Sequence, residues 1–195
     1  RDLLDSDAYC LVVKERELKF ALHTLTVAPK LVVTDSQAVL KAAADTPEEI
    51  PFTTFSILMA RMKGDLDQLV RGVKAVERLR PGARVLVAEA CTHHRQADDI
   101  GKVQIPRWLR QVVGGDIAFA FSSGPDFPPD LASYDLVIHC GGCMINRQEM
   151  LSRGLKADTA GVPMVNYGVF LSHVHGVLER ALKPFPSAYL TYRDG

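Results

Sequence analysis

The chain has 195 residues, 47% of them hydrophobic, which suits one ordinary globular domain or two small ones and excludes a disordered polymer. Its 23 Lys and Arg are balanced by 23 Asp and Glu, so no net positive field supports nucleic-acid binding. The charge-free stretch from Ala160 to Leu178 is interrupted by Pro163, Asn166, His173 and His175. It reads as a strand plus a helix and not as a membrane span.

Taken in order, the charged amino end carries no signal-peptide pattern. Tyr9-Cys10-Leu11-Val12-Val13 reads as a short buried strand, with Cys10 as a small core residue. A helix is expected over Glu15–Leu25, with Leu18, Ala21, Leu22 and Leu25 on one face. A second strand follows at Leu31–Thr34, then a helix capped by Asp35 or Ser36 and running through Ala44. Pro51–Phe55 is a third strand. The spacing of Met62, Leu66, Leu69, Val73 and Val76 predicts one long helix over Ser56–Leu79, weakened at Gly64 and Gly72 where a kink is expected.

Arg80-Pro81-Gly82-Ala83 is a punctuated turn that divides the chain into residues 1–80 and 81–195. After it comes the strand Val85–Ala88, then a helix with Pro106 in its first turn, which Gly114-Gly115 stops. Strands follow at Ile117–Phe121 and Tyr134–His139. Asn146 and Glu149 have capping-box spacing for a short helix that ends at Gly154. A strand at Val162–Val165 and a helix over Gly168–Leu182 close the chain. Strands alternating with helices predict an α/β fold of two small domains, each a mainly parallel sheet flanked by helices.

The chemistry is concentrated at two strand ends. Cys91-Thr92-His93-His94 and His139-Cys140-Gly141-Gly142-Cys143 together hold three of the four cysteines and three of the six histidines. Parallel strands would bring both pieces to one carboxyl edge, where open α/β sheets place their ligands. Thiols gathered in this way suit a soft metal or an iron-sulfur cluster. A free thiol has a pKa of about 8.5 and must ionise to ligate. The amino end of the helix after Cys143 favours that anion. Strand parity turns His93 to the same side as Cys91 and turns His139 away from Cys140. A structural zinc site and a thioredoxin-like Cys140–Cys143 dithiol are the competing readings. Glu89 either faces the site or pairs with an arginine. His173 and His175 lie two apart on a helix and read as packing or surface residues. No Walker-type loop is present to cradle a nucleotide.

With Cys91-Thr92-His93 and His139-Cys140-Gly141-Gly142-Cys143, the chain resembles the HydF family, the scaffolds of FeFe-hydrogenase maturation. Gln96-Ala97-Asp98-Asp99-Ile100-Gly101 and Val33-Thr34-Asp35-Ser36-Gln37-Ala38 carry the same resemblance. It implies a dimerisation domain over 1–80 and a cluster-binding domain over 81–195, without the family's amino-terminal GTPase domain. The missing Walker loop and missing initiator Met agree with that expectation. It further implies a cytoplasmic homodimeric scaffold that is not an enzyme. Such a scaffold binds a 4Fe-4S cluster through Cys91, Cys140 and Cys143 and has an exchangeable fourth iron ligand, for which His93 and His139 are candidates. Its cargo would be a transient diiron precursor. Its partners would be radical-enzyme maturases and apo-hydrogenase, with no nucleic acid and no membrane.

Overall fold

A computed structural model describes residues 5–90 and 98–194. Within them the chain is α/β, with two parallel sheets flanked by helices. The first half opens with α1 (Leu18–Thr24) and then forms β1 (Val32–Thr34), α2 (Val39–Asp45) and β2 (Phe52–Thr54). The two strands pair in parallel, Val33 opposite Thr53. Asp35 caps the short turn leading into α2, its side chain accepting from Gln37 N at 2.8 Å. β2 is wholly buried, and no other strand among the described residues pairs with the far edge of β1.

Three helices stand where one was expected: α3 (Phe55–Lys63), α4 (Leu66–Arg71) and α5 (Val73–Arg78). Gly64 adopts extended backbone, and Asp65 starts α4 by accepting from Gln68 N at 3.0 Å. The apolar stripe survives from Leu66 to Val76, all buried, but Met62 lies beyond the break and is 55% exposed. At Gly72 the helical backbone runs so close to the next sheet that a Cβ would sit 2.0 Å from the carbonyl oxygen of Met164. Only glycine fits there.

The second sheet orders its strands β4-β3-β5-β6, all parallel: β3 (Arg84–Glu89), β4 (Ala118–Ser123), β5 (Leu136–His139) and β6 (Met164–Asn166). α6 (Ile105–Val113) has Pro106 in its first turn, and Gly114 takes the left-handed cap conformation, as the sequence predicts. α7 (Arg147–Thr159) does not stop at Gly154. That glycine is buried within the helix, where a Cβ would meet Gln68 Oε1 at 2.9 Å. The expected last helix is two, α8 (Tyr167–Val174) and α9 (Leu178–Leu182), divided at Gly176. A further helix, α10 (Pro186–Asp194), has no counterpart in the sequence reading and rests mainly on α4. One apolar core runs continuously from Val32 to Ala188.

The expected strand at Tyr9–Val13 is absent. The segment has no regular structure, Tyr9 and Val12 are almost fully exposed, and Cys10 is exposed and not a core residue. An apolar run signals that a segment needs cover, and the described part of this chain does not supply it. No helix among the described residues is long and apolar enough to cross a membrane.

Candidate functional site

β3 and β5 are adjacent and parallel, with Ala88 opposite His139, so their carboxyl ends share one edge as the two motifs require. Cys140 extends the ladder one step, its N–H donating to Ala88 O at 2.9 Å. Its Sγ then accepts from the backbone N–H of Ala90 at 3.1 Å and lies 3.4 Å from that of Gly142. Two amides aimed at one sulfur favour its anionic form. Gly142 reaches this position with φ +65°, a conformation that side-chain-bearing residues seldom adopt. Cys91 follows Ala90 directly in the chain, but it lies outside the described residues, as do His93 and His94.

Cys143 is exposed, in the turn that leads to α7. Asn146 caps that helix by accepting from Glu149 N at 2.9 Å. The reciprocal half of the capping box does not form, because the Glu149 carboxylate turns to Arg153, Nε to Oε1 2.8 Å. Cys140 and Cys143 do not form a disulfide with each other. Among the described residues alone, no three His, Cys, Asp or Glu side chains converge as a metal site. The donor set there is two thiols at one sheet edge, and Ala90, the residue before a third cysteine, donates to one of them. That chemistry fits a thiolate-bound group.

His139 takes no share of this edge. It is fully buried, and its ring meets Arg153 of α7, whereas the Cys140 sulfur meets the Ala90 amide. Its Nδ1 donates to Cys140 O at 2.7 Å, and its Nε2 accepts from Arg153 Nη1 at 3.2 Å. Burial, joined by the Arg153 charge and opposed by the Cys140 carbonyl, brings its pKa down to about 4. The imidazole is therefore neutral near pH 7, with both ring nitrogens engaged. Arg153 is also fully buried. It donates to His139, to Glu149 and, through Nη2 at 2.8 Å, to Gly124 O in the loop leaving β4, and it lies over the Phe127 ring. A buried guanidinium needs such saturation, because an unpaired one costs several kcal/mol (order of magnitude).

Arg153, Tyr167 and Lys63 escape the sequence reading. Arg153 stands four residues after Glu149 on a helix, a spacing that reads equally well as an exposed pair. For Glu89 the sequence allows a site-facing or an arginine-paired position. It is buried, with the Tyr167 hydroxyl 3.5 Å from Oε1. Burial and the neighbouring Glu89, Cys140 and Asp99 raise the Tyr167 pKa above its usual value, so the phenol stays protonated beside the cysteine edge. Lys63, at the end of α3, reaches the cysteine loop from 79 residues away in sequence, and no local pattern announces it. His173 and His175 do serve packing, His175 edge-on to Trp108 at 4.8 Å between centroids and His173 3.6 Å from Glu77. An open cleft of about 630 Å³, lined by Arg71, Lys74, Arg78 and Arg80 among others, lies at the amino end of the sheet, away from the described cysteines.

Comparison with protein families gives two matches. Residues 1–64 match the hydrogen maturase F dimerization domain, and residues 67–184 match the hydrogen maturase F tetramerization domain. The two matches meet at the break between α3 and α4. No curated protein matches the chain.

Proposed function

This chain belongs to the hydrogen maturase F family through both its dimerization and tetramerization domains, and from that premise we propose that it is a scaffold holding a 4Fe-4S cluster on Cys91, Cys140 and Cys143. A hydrogenase maturation role and self-association follow from the family itself. Cluster binding, delivery of a diiron precursor to apo-hydrogenase after receipt from radical-enzyme maturases, a non-enzymatic role and a cytoplasmic setting are the finer parts of the proposal.

The observation that carries it is the hydrogen bond from Ala90 N to Cys140 Sγ, 3.1 Å. It joins the residue before Cys91 to the second motif, whose other thiol, Cys143, is three residues further on. When bound, the cluster would supply an iron site with a replaceable ligand, a suitable attachment for cargo that must later leave. The protein's own contribution is to hold thiolates. The amides of Ala90 and Gly142 lower the cost of an anionic Cys140 sulfur, and the amino end of α7 favours negative charge near Cys143. His139, buried and engaged at both ring nitrogens, is assigned a supporting role: it fixes the Cys140 carbonyl and so the course of the loop. His93 is then the preferred candidate for the replaceable ligand.

The test is a panel of single substitutions followed by anaerobic reconstitution with iron and sulfide. Ser at 91, 140 or 143 should each abolish stable iron uptake, and Cys10→Ser should leave it unchanged. Cluster loss in Cys10→Ser with retention in Cys91→Ser would overturn the assignment.

A further inference from the structure

We propose that Lys63 is a positioning residue for the cysteine loop, so that the dimerization domain supplies part of the site which the tetramerization domain carries. The Lys63 ammonium lies 3.1 Å from the carbonyl oxygen of Gly142, 2.8 Å from that of Cys143 and 2.8 Å from that of Ile145. An ammonium has three protons to donate, and here all three find carbonyls of a single turn. Three carbonyls converging without a cation would repel one another, so the charge is what allows the turn to close around Cys143.

The rest of α3 supports the same loop. At its first turn, Ser56 Oγ lies 3.5 Å from where a Cβ on Gly141 would stand. Ser56 is itself fixed to the second sheet, because its carbonyl and hydroxyl receive Asn166 Nδ2 and its hydroxyl receives the N–H of Gly168. At its last turn, Met150 of α7 packs beneath both Gly64 and Gly142. The loop thus leans on α3 at both ends, and Lys63 is the only contact of the three that brings a charge. A cation there also offsets the negative charge that thiolates gather.

The consequence for a bound cluster rests on the reading given above, whereas the clamp on the loop does not. Lys63 is half-buried, and Met keeps most of its stem, so Lys63→Met should fold. Hydrogen exchange on the whole 195-residue apo chain should show the hydrogen-bonded amides of Gly142 and Ile145 exchanging at least about tenfold faster in Lys63→Met, the scale of one lost charge-assisted hydrogen bond. Exchange in β3 and β5 should be unchanged. After reconstitution, iron loss to a chelator should accelerate by a similar factor. Lys63→Arg, which keeps the charge but spreads its donors over a plane, should fall between wild type and Lys63→Met in both measurements. Unchanged loop exchange in Lys63→Met would overturn the clamp, and faster exchange with unchanged iron loss would overturn its role at the site. If wild type itself took up no iron and sulfide, the cluster reading would fail, and the exchange measurement alone would decide the clamp.

Discussion

Arg153 donates from Nη1 to Nε2 of His139 across 3.2 Å, with both side chains fully buried. Because the other ring nitrogen of His139 donates to the carbonyl of Cys140, the guanidinium steers the strand end that presents a thiol. Arg153→Met would leave His139 Nε2 and the Gly124 carbonyl without their donor. A loss of about 3 kcal/mol in urea unfolding of the apo protein is expected, from unsatisfied buried acceptors. A change below about 0.5 kcal/mol, the range of ordinary surface substitutions, would show that the network carries no load.

Self-association through the first half has a specific structural expectation. Val32 N donates to Pro51 O at 2.9 Å, so alternation along β1 turns the N–H of Val33 to the unpaired edge. Such an edge is a template for a second copy. Val33→Pro removes that donor without touching the bonds to β2. Light scattering should then show a smaller assembly than wild type with unchanged circular dichroism. An assembly of unchanged mass would place the dimer contact elsewhere, with exposed Tyr9, Leu11 and Val12 the next surface to test.

The single tryptophan offers a pH reporter. His175 sits edge-on to Trp108, and burial lowers its pKa below the usual histidine value of 6.5. An imidazolium quenches indole fluorescence, so emission should fall only as pH drops below 6.5. The sign for stability is the same: the unfolded state binds the proton more readily, so the contribution is present above 6.5 and is lost as pH falls. His173, also lowered by burial, adds to the stability change but does not face the indole ring in this way. His175→Asn should abolish the fluorescence step. A midpoint above 6.5 would contradict the packing of this pair.

The replaceable iron ligand is tested by small molecules. Cyanide or imidazole added to the reduced, reconstituted protein should shift its electron paramagnetic resonance spectrum without loss of iron. His93→Ala should change the starting spectrum, and His139→Gln should not, since His139 is engaged elsewhere. Indifference to both ligands and to both substitutions would indicate a closed site and remove the physical basis of a carrier.

The parts of the fold that depend on local pattern were legible. The apolar runs before Cys91 and Cys140 are strands, Pro106 and Asn146 open helices, and the parallel arrangement brings the ends of those two strands to one edge. Breaks were harder to place, because a stripe such as Met62 to Val76 continues in sequence across Gly64 while the backbone does not. Gly154 looked like a stop and is a packing contact. Tyr9–Val13 shows the limit of an apolar run, which reports a need for cover without naming its source. At the site, thiols were found by type and spacing. The engagement of the His139 ring by Arg153 could not be read, because that partner comes from α7. Lys63 was invisible for the same reason: its three acceptors are backbone carbonyls in another domain.

Metal and acid-labile sulfide analysis of the protein purified without oxygen decides whether these thiols hold an iron-sulfur cluster. The expected result is a brown protein with iron and sulfide in equal amounts and, after reduction, a paramagnetic resonance signal. A colourless protein with stoichiometric zinc and no sulfide would contradict it.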